Sequence, residues 1–461
     1  MKTNNQKINM LKNDSIKKVL LKLGIPTMIG MMVSALYSVV DAYFVGWLGT
    51  SQIGAITVVF PIVQVIIGLG MMFGSGAASY ISRLLGENKN KDASKVASTA
   101  LITSLIVGAV IIILSLCFLK TILIKLGATS TILPYATQYA FIYVSGAILN
   151  IFNVTMNNIM TSEGKAKITM IAMFLGCGLN IILDPIFIGV FNMGIQGAGF
   201  ATVIAQIVTT SMYLYIIIRK KSFLRFSPKL FKPTKKTYQE ILKVGVPILV
   251  FQVLASTVMG LSNNAASIYG DSAVAAVGVV TRILTLGSYV VFGFMKGFQP
   301  VAGFNFGAKQ YDRLNKAIKL AFKWSTIFCS MMAIILVLFP SSIISIFSKN
   351  DLTFIEVGTK LIRANAYIFP FFGFQMVYMS LFLAMGKGKD GGLLSISRQG
   401  IFFIPLILVL PNIIGLNGVI WAQPIADALT VLLTLLFAMK VKREINILKL
   451  RKLDLVSEMS Y

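Results

Sequence analysis

Apolar runs near twenty residues recur from one end of this 461-residue chain to the other, and they restrict the fold more than any other feature. A bilayer core about 30 Å thick is crossed by about 20 helical residues. Inside it the backbone finds no water to bond, so only helices or closed barrels span it. The runs here are continuous rather than alternating, which excludes a barrel. Twelve spans are expected, at about 21–47, 53–81, 96–119, 133–160, 168–189, 195–218, 240–267, 274–300, 318–345, 357–384, 392–414 and 416–440. The chain is 56% hydrophobic, with a mean hydropathy of +0.81, outside the usual range of soluble domains. The fold class is therefore an all-α membrane protein, with loops too short to hold a soluble domain.

A net charge of +26 would suit a nucleic-acid partner, but its distribution argues against one. Lys2, Lys7, Lys12, Lys17 and Lys18 precede the first span, and Arg83, Lys89, Lys91 and Lys95 follow the second. Lys165 and Lys167 follow the fourth; Arg219, Lys220, Lys221, Arg225, Lys229, Lys232, Lys235 and Lys236 follow the sixth. Lys309, Arg313 and Lys316 follow the eighth, Lys387 and Lys389 the tenth, and the basic run from Lys440 to Lys452 ends the chain. Odd-numbered spans are followed by few basic residues, Lys120, Lys125, Lys349, Lys360 and Arg363 being the main exceptions. By the positive-inside rule both termini and every even loop face the cytoplasm, and the cell membrane is the expected location. The loop after span six reads as a solvated topology signal lying near anionic lipid, which makes membrane lipids the expected partner there.

The chain has no histidine, so no His-based metal site or relay can form, and no cofactor is expected. Cys117, Cys177 and Cys329 fall in apolar runs without metal spacing and read as small buried hydrophobes. The Lys- and Asn-rich start runs into a full span without a small-residue cleavage motif, so no removable signal peptide is expected.

The sequence repeats itself. Lys22-Leu23-Gly24-Ile25-Pro26 returns as Lys243-Val244-Gly245-Val246-Pro247, an offset of 245 − 24 = 221. The same offset pairs Gly49 with Gly270, Gly76 with Gly297, Gly86 with Gly307, Gly194 with Gly415 and Gly197 with Gly418. This is a duplication of six spans. Six is even, so the halves share one orientation, related by a pseudo-two-fold axis along the membrane normal with a cavity between them. The expected organisation is an N-lobe over 1–218, a basic cytoplasmic linker over 219–239, a C-lobe over 240–440 and a cytoplasmic tail over 441–461. The chain is expected to work as a monomer.

Three acidic residues lie well inside spans: Asp41, Asp184 and Asp427. Such residues are costly in lipid and mark functional sites by default. Asn180 and Asp184 are four apart on one helix face. Pro185 donates no hydrogen bond, which frees a backbone carbonyl nearby. Asp41 lies 41 − 22 = 19 residues beyond Lys22, and Asp184 lies 184 − 167 = 17 beyond Lys167. At about 1.5 Å per residue both reach similar depth on outward-running helices. Depth also admits Tyr37, one turn before Asp41, with Tyr139 early in span four and Thr202 early in span six. Two carboxylates in such a place cannot both ionise cheaply, and a proton or small cation relieves the repulsion. Hydroxyl and amide oxygens beside them are the hard ligands that Na⁺ would take. This is the pattern of a coupling-ion site. At the 221 offset Asp41 becomes Ser262, Asn180 Ile401, Asp184 Pro405 and Thr202 Gln423, so the second half lacks the carboxylate pair. Asp427 reads as a packing or pairing residue, with Arg282 at comparable depth as its partner; Lys296 and Arg398 are expected to snorkel or to face the cavity. Pro26, with Gly24 and Gly30 nearby, marks a bendable first helix and a hinge.

These residues resemble the MATE family, the multidrug and toxic compound extrusion transporters. The resemblance covers nearly the whole chain. It is carried by Leu179 to Phe187 (LNIILDPIF), Asp41-Ala42-Tyr43-Phe44-Val45-Gly46, Ser82-Arg83-Leu84-Leu85-Gly86 and the run from Gly297 to Ala308. It implies twelve helices in two six-helix lobes that open alternately to either side, and export of small-molecule drugs driven by H⁺ or Na⁺. In the branch resembling the DNA-damage-inducible F proteins it implies a cation site of a first-helix Asp, a fifth-helix Asn and Asp, and a sixth-helix Thr. Asp41, Asn180, Asp184 and Thr202 match those positions. Another branch carries acidic residues in helices seven and ten; here those spans offer Gln252 and Gln375 without a central carboxylate.

The expected function is cation-coupled antiport of amphipathic, often cationic organic compounds by alternating access. A flippase of lipid-linked precursors on a related fold is the alternative, though its cavity would want more cationic residues. A channel would need a continuous pore, and nothing resembles a selectivity filter. A membrane enzyme is not expected, because the chain has neither histidine nor a metal cluster.

Overall fold

The computed structural model describes residues 10–347 and 351–458, so Lys2, Lys7 and Lys349 lie outside the described residues. Eleven helices are long and apolar enough to cross a membrane, and a bent pair supplies a twelfth span. In chain order they are α1 (Ile16–Gly46), α2 (Thr50–Gly86), α3 (Asn90–Cys117), α4 (Leu133–Ser145 continued by Ala147–Ser162), α5 (Ala166–Pro185) and α6 (Ile195–Ile218). After the linker come α7 (Lys235–Ser267), α8 (Asp271–Gly307), α9 (Tyr311–Leu338), α10 (Leu352–Ala384), α11 (Gly388–Ile414) and α12 (Leu416–Glu458). Every expected span is present. Most helices overrun the apolar runs, because a helix entering water keeps its own hydrogen bonds.

Three boundaries differ from expectation. The fourth span is not straight but turns by 50° at Gly146. A side chain there would sit 2.6 Å from Val203 of α6, so the missing Cβ lets the two helices touch at the bend. The seventh helix starts at Lys235 rather than 240, with Thr234 as its N-cap accepting from the Thr237 amide. The tail is not separate: α12 runs unbroken to Glu458, and the Lys387–Glu444 and Lys449–Asp312 ion pairs tie its far end to neighbouring loops.

The duplication reappears as packing. In the N-lobe α1 packs on α5, α2 on α3 and α4, α6 on α4 and α5; the C-lobe repeats this with α7 on α11, α8 on α9 and α10, α12 on α10 and α11. Between lobes α1 meets α8 and α2 meets α7, again a symmetric exchange, and α2 meets α8 on the axis. The repeated glycines have backbone reasons. Gly49 and Gly270 start α2 and α8 at φ 101° and 93°, and Gly194 and Gly415 start α6 and α12 at 58° and 61°, a region that favours glycine. Gly24 and Gly297 bring α1 against α8 so closely that a Cβ on Gly297 would lie 2.6 Å from the Gly24 Cα. A Cβ on Gly86 would collide with the Phe304 carbonyl, and one on Gly307 with that of Arg83. These approaches fall in the helix halves nearest the face that carries the start of α1 and the end of α12. There Arg83 of α2 pairs with Glu240 of α7 at 2.7 Å. Arg313 of α9 donates to the Leu11 and Asp14 carbonyls ahead of α1, at 3.1 and 2.9 Å. The lobes are closed on each other at this face.

The linker after α6 is not free in solvent as its charge suggested. Its backbone is laced to the N-lobe. The buried Glu163 carboxylate accepts from Ser222 Oγ and from the Phe223 and Leu224 amides, and pairs with buried Lys165 at 3.0 Å. Ser94, Ser98 and Thr99 of α3 take the Arg225, Ser227 and Lys232 amides. The basic side chains are left outward. Of the cysteines, Cys329 is buried as expected, whereas Cys177 is half-buried and Cys117 is exposed at the end of α3.

Gly86→Ala is expected to loosen the closed face by about 1–3 kcal/mol, the usual cost of overpacking. Ser79 of α2 is buried there, its hydroxyl on the Leu383 carbonyl of α10. A Ser79→Cys reporter should react faster with a maleimide in the Gly86→Ala background. Unchanged labelling would mean that the lobes stay closed without the glycine contact.

Candidate functional site

The N-lobe residues singled out by depth and spacing come together. Asp184 is fully buried on α5, with Asn180 one turn before it and also buried. With its amide oriented to satisfy both neighbours, Asn180 donates to Asp184 Oδ2 at 2.9 Å. Its oxygen accepts from the Thr202 amide at 3.0 Å and from Thr202 Oγ1 at 3.2 Å. Thr202 sits about two turns into α6, where Gly197 and Gly199 let that helix close on the turn after α5 and on α4. The Tyr37 hydroxyl of α1 lies near Thr202. Asp41, one turn further along α1, is half-buried, and its carboxyl lies within hydrogen-bonding reach of that of Asp184. Tyr139 of α4 is buried beside both carboxyls.

Local structure fixes this arrangement. Pro185 ends the regular part of α5 and removes the bond to the Ile181 carbonyl, and the chain continues as a π turn over Ile186–Val190. Such turns inside helices recur at functional sites. Here it follows Asp184 directly.

The electrostatics leave one demand unmet. Asp184 Oδ1 is buried and receives no donor from any described group. Facing carboxylates are acceptors only, and two full charges about 4 Å apart repel by about 4 kcal/mol at an effective dielectric near 20. A shared proton or a small cation removes that repulsion and satisfies the oxygen. Carboxylate, hydroxyl and amide oxygens are the donor set a hard monovalent cation takes. Among the described residues no group of three or more His, Cys, Asp or Glu comes together, so at most two negative charges converge, which fits a single monovalent charge.

Tyr143 was not anticipated. It is buried one turn after Tyr139, with ring centroids 6.0 Å apart, and it feels the Asp41 charge. The i, i+4 spacing of the two tyrosines was the available signal. Pro26 lies inside α1, where Thr27 Oγ1 bonds the Leu23 and Gly24 carbonyls at 2.8 and 3.0 Å.

The C-lobe differs from expectation. Asp427 does not pair with Arg282, which is exposed on α8. Its partner is Arg398 of α11, with Nε on Oδ1 at 2.8 Å and Nη2 on Oδ2 at 3.2 Å. Arg282 matched in depth, but its side chain leaves α8 on the wrong side. Lys296 of α8 does not snorkel either. It crosses between the lobes and donates to Asn157 Oδ1 of α4 at 2.6 Å.

The family model described as MatE matches residues 26–186 and again 247–409. The two matches start 247 − 26 = 221 residues apart, the offset of the repeat. The chain belongs to the MATE family. A curated relative, the multidrug export protein MepA of Staphylococcus haemolyticus, is 30% identical over 435 residues, 94% of this chain and 95% of the relative. A solved MATE in the straight conformation superposes with a TM-score of 0.89 at 28% identity, covering 96% of this chain and 98% of that one. A solved MATE in the bent conformation gives 0.88 at 28% identity with the same coverage. The twelve helices in two lobes are thus those of a MATE transporter, an integral membrane protein.

Asn180→Leu is expected to strand Asp184 Oδ2 and the Thr202 amide. The cost should be about 2–4 kcal/mol, one to two buried groups left unsatisfied. Thr202→Val keeps shape and should cost about 1 kcal/mol. Thermal unfolding in detergent checks both; equal midpoints for the two variants would mean that the Asn180 network contributes nothing to folding.

Proposed function

We propose that this protein is a multidrug efflux transporter that exchanges amphipathic, often cationic organic compounds for H⁺ or Na⁺ by alternating access. The observation that carries this reading is the buried Asp41–Asp184 pair with its unsatisfied oxygen. Asp41, Asn180, Asp184 and Thr202 would hold the ion, with Tyr37 and Tyr139 closing the pocket. The multidrug export named for the MepA relative supports the substrate class. Both termini lie in the cytoplasm on this reading, so the closed face is the inner one. The transporter works as a monomer in the cell membrane.

Coupling needs a difference in affinity. Ion binding relieves the repulsion within the pair, and drug binds better to one ion state than to the other; a ligand with equal affinity for both states shifts nothing. Asp41→Asn and Asp184→Asn should each abolish gradient-driven export while the protein still reaches the membrane. Substrate flux in proteoliposomes under an imposed H⁺ or Na⁺ gradient is the test. Wild-type rates from both variants would locate coupling elsewhere.

Pro26 serves as the hinge of α1 in this scheme. Solved MATE structures are described in a straight and in a bent conformation, which supports an element that changes its bend in this family. Pro26→Ala restores the missing backbone bond and should slow export several-fold without lowering the unfolding midpoint. Unchanged transport would count against a moving hinge.

A further inference from the structure

The second buried charge cluster lies in the C-lobe and has no role in the scheme above. It occupies a place close to that of the N-lobe site in the repeat. Gln423 is the counterpart of Thr202, since 423 − 221 = 202. Asp427 follows Gln423 by one turn of α12. Arg398 is the counterpart of Cys177, since 398 − 221 = 177, one turn before Asn180. Each lobe therefore places a carboxylate in the seam between its fifth and sixth helices, beside the same position of its sixth.

The two carboxylates are satisfied in opposite ways. Asp427 receives Arg398 Nε and Nη2, and Gln423 Nε2 at 2.8 Å; its backbone carbonyl takes Gln375 Nε2 at 2.7 Å. The Arg398 guanidinium lies 4.8 Å from the Phe372 ring centre, a cation–π contact. Arg398 rides on a π segment, Ser397–Phe403, that interrupts α11. Both side chains are largely buried, at 15% and 10% exposure. A guanidinium does not lose its proton in a protein, so Asp427 always faces a full positive charge. Asp184, by contrast, keeps an oxygen that no described group satisfies.

We propose that Arg398 is a tethered cation, standing in the C-lobe where an exchangeable cation stands in the N-lobe, so that Asp427 takes no coupling ion and the N-lobe site alone drives each cycle. The proposal rests on the ion-coupled reading of the N-lobe. A permanent partner removes the need for an outside ion; removal of Arg398 should create that need. The lobe would then hold a second ion site that only Arg398 suppresses.

The experiment reads the number of cations exchanged per drug, from the reversal potential in proteoliposomes loaded with a fluorescent lipophilic cation, under H⁺ and then Na⁺ gradients. Arg398→Gln should raise the ratio by an added cation, and Asp427→Asn on top of it should return the wild-type ratio. Breaking a buried pair can prevent folding. The double variant Arg398→Gln/Asp427→Asn keeps a neutral hydrogen-bonded pair and decides the matter alone: it should exchange at the wild-type ratio. A lower ratio in the double variant would mean that Asp427 itself cycles, and a folded Arg398→Gln protein with an unchanged ratio would mean that Asp427 draws no ion even when bare; either result overturns the proposal. Asp184→Asn serves as the control for the underlying reading. If it kept the wild-type ratio, the N-lobe reading would fail, whatever the C-lobe variants did.

Discussion

Hydrocarbon gives a polar group nothing to bond with, and this one constraint organises the molecule. It turns each span into a helix whose backbone satisfies itself. It also makes every buried side-chain charge declare a partner. Glu163 has Lys165 and two linker amides, Asp427 has Arg398 and Gln423, and Lys296 has Asn157 across the lobe interface. Asp184 stands apart because one of its oxygens has none. Several buried amide and hydroxyl atoms also lack partners, but among the described buried atoms left bare Asp184 Oδ1 alone belongs to a carboxylate, and a bare carboxylate oxygen is the place where a cation or proton is wanted.

Duplication supplied the frame and divergence the asymmetry. The glycines that recur at the 221 offset serve the frame: they start helices at left-handed backbone or let helices touch backbone to backbone. Small residues at helix contacts suit a membrane interior, where close packing rather than water exclusion joins helices. The carboxylates of the site do not recur. Asp41, Asn180 and Asp184 face Ser262, Ile401 and Pro405 in the repeat, and the Arg83–Glu240 pair has Phe304 and Val19 at its repeat positions. Selection on function acts on one lobe at a time, while the packing that both lobes need is held in common.

Most of the frame was legible in the sequence, and so was the N-lobe cluster. Hydropathy fixes span number because the bilayer leaves little choice of element. Matched depth brought Asp41 and Asp184 together because both helices run the same way from a basic end. What depth does not contain is rotation about a helix axis. Depth pointed Asp427 to Arg282, and only packing decides which side chain turns inward; the π segment carrying Arg398 adds a rotation that no regular periodicity predicts. Tyr143 was missed although it stands one turn from Tyr139. The linker misled for a different reason. Its eight basic residues describe its side chains, whereas its docking is made by backbone amides on Glu163, Ser94, Ser98 and Thr99. Amides carry no sequence signal.

The proposed coupling also needs a route from ion to lobe contact, and α1 is the element that touches both. Asp41 lies toward one end, in reach of Asp184. Gly24 lies toward the other, pressed against Gly297 of the opposite lobe. Between them is Pro26, 41 − 26 = 15 residues from the carboxylate, or about 22 Å along the helix. A helix lacking one backbone bond can exist in two bends at small cost. Asp184, on α5, makes no such crossing, so neutralising the pair leaves the α5 side of the site in place and frees α1 to choose. The interlobe contact on α1 is backbone against backbone. A small change of bend there cannot be absorbed by a side-chain rotamer and must move one lobe against the other. Coupling on this view needs no chain of intermediaries: a single helix holds the ion at one end and the opposite lobe at the other.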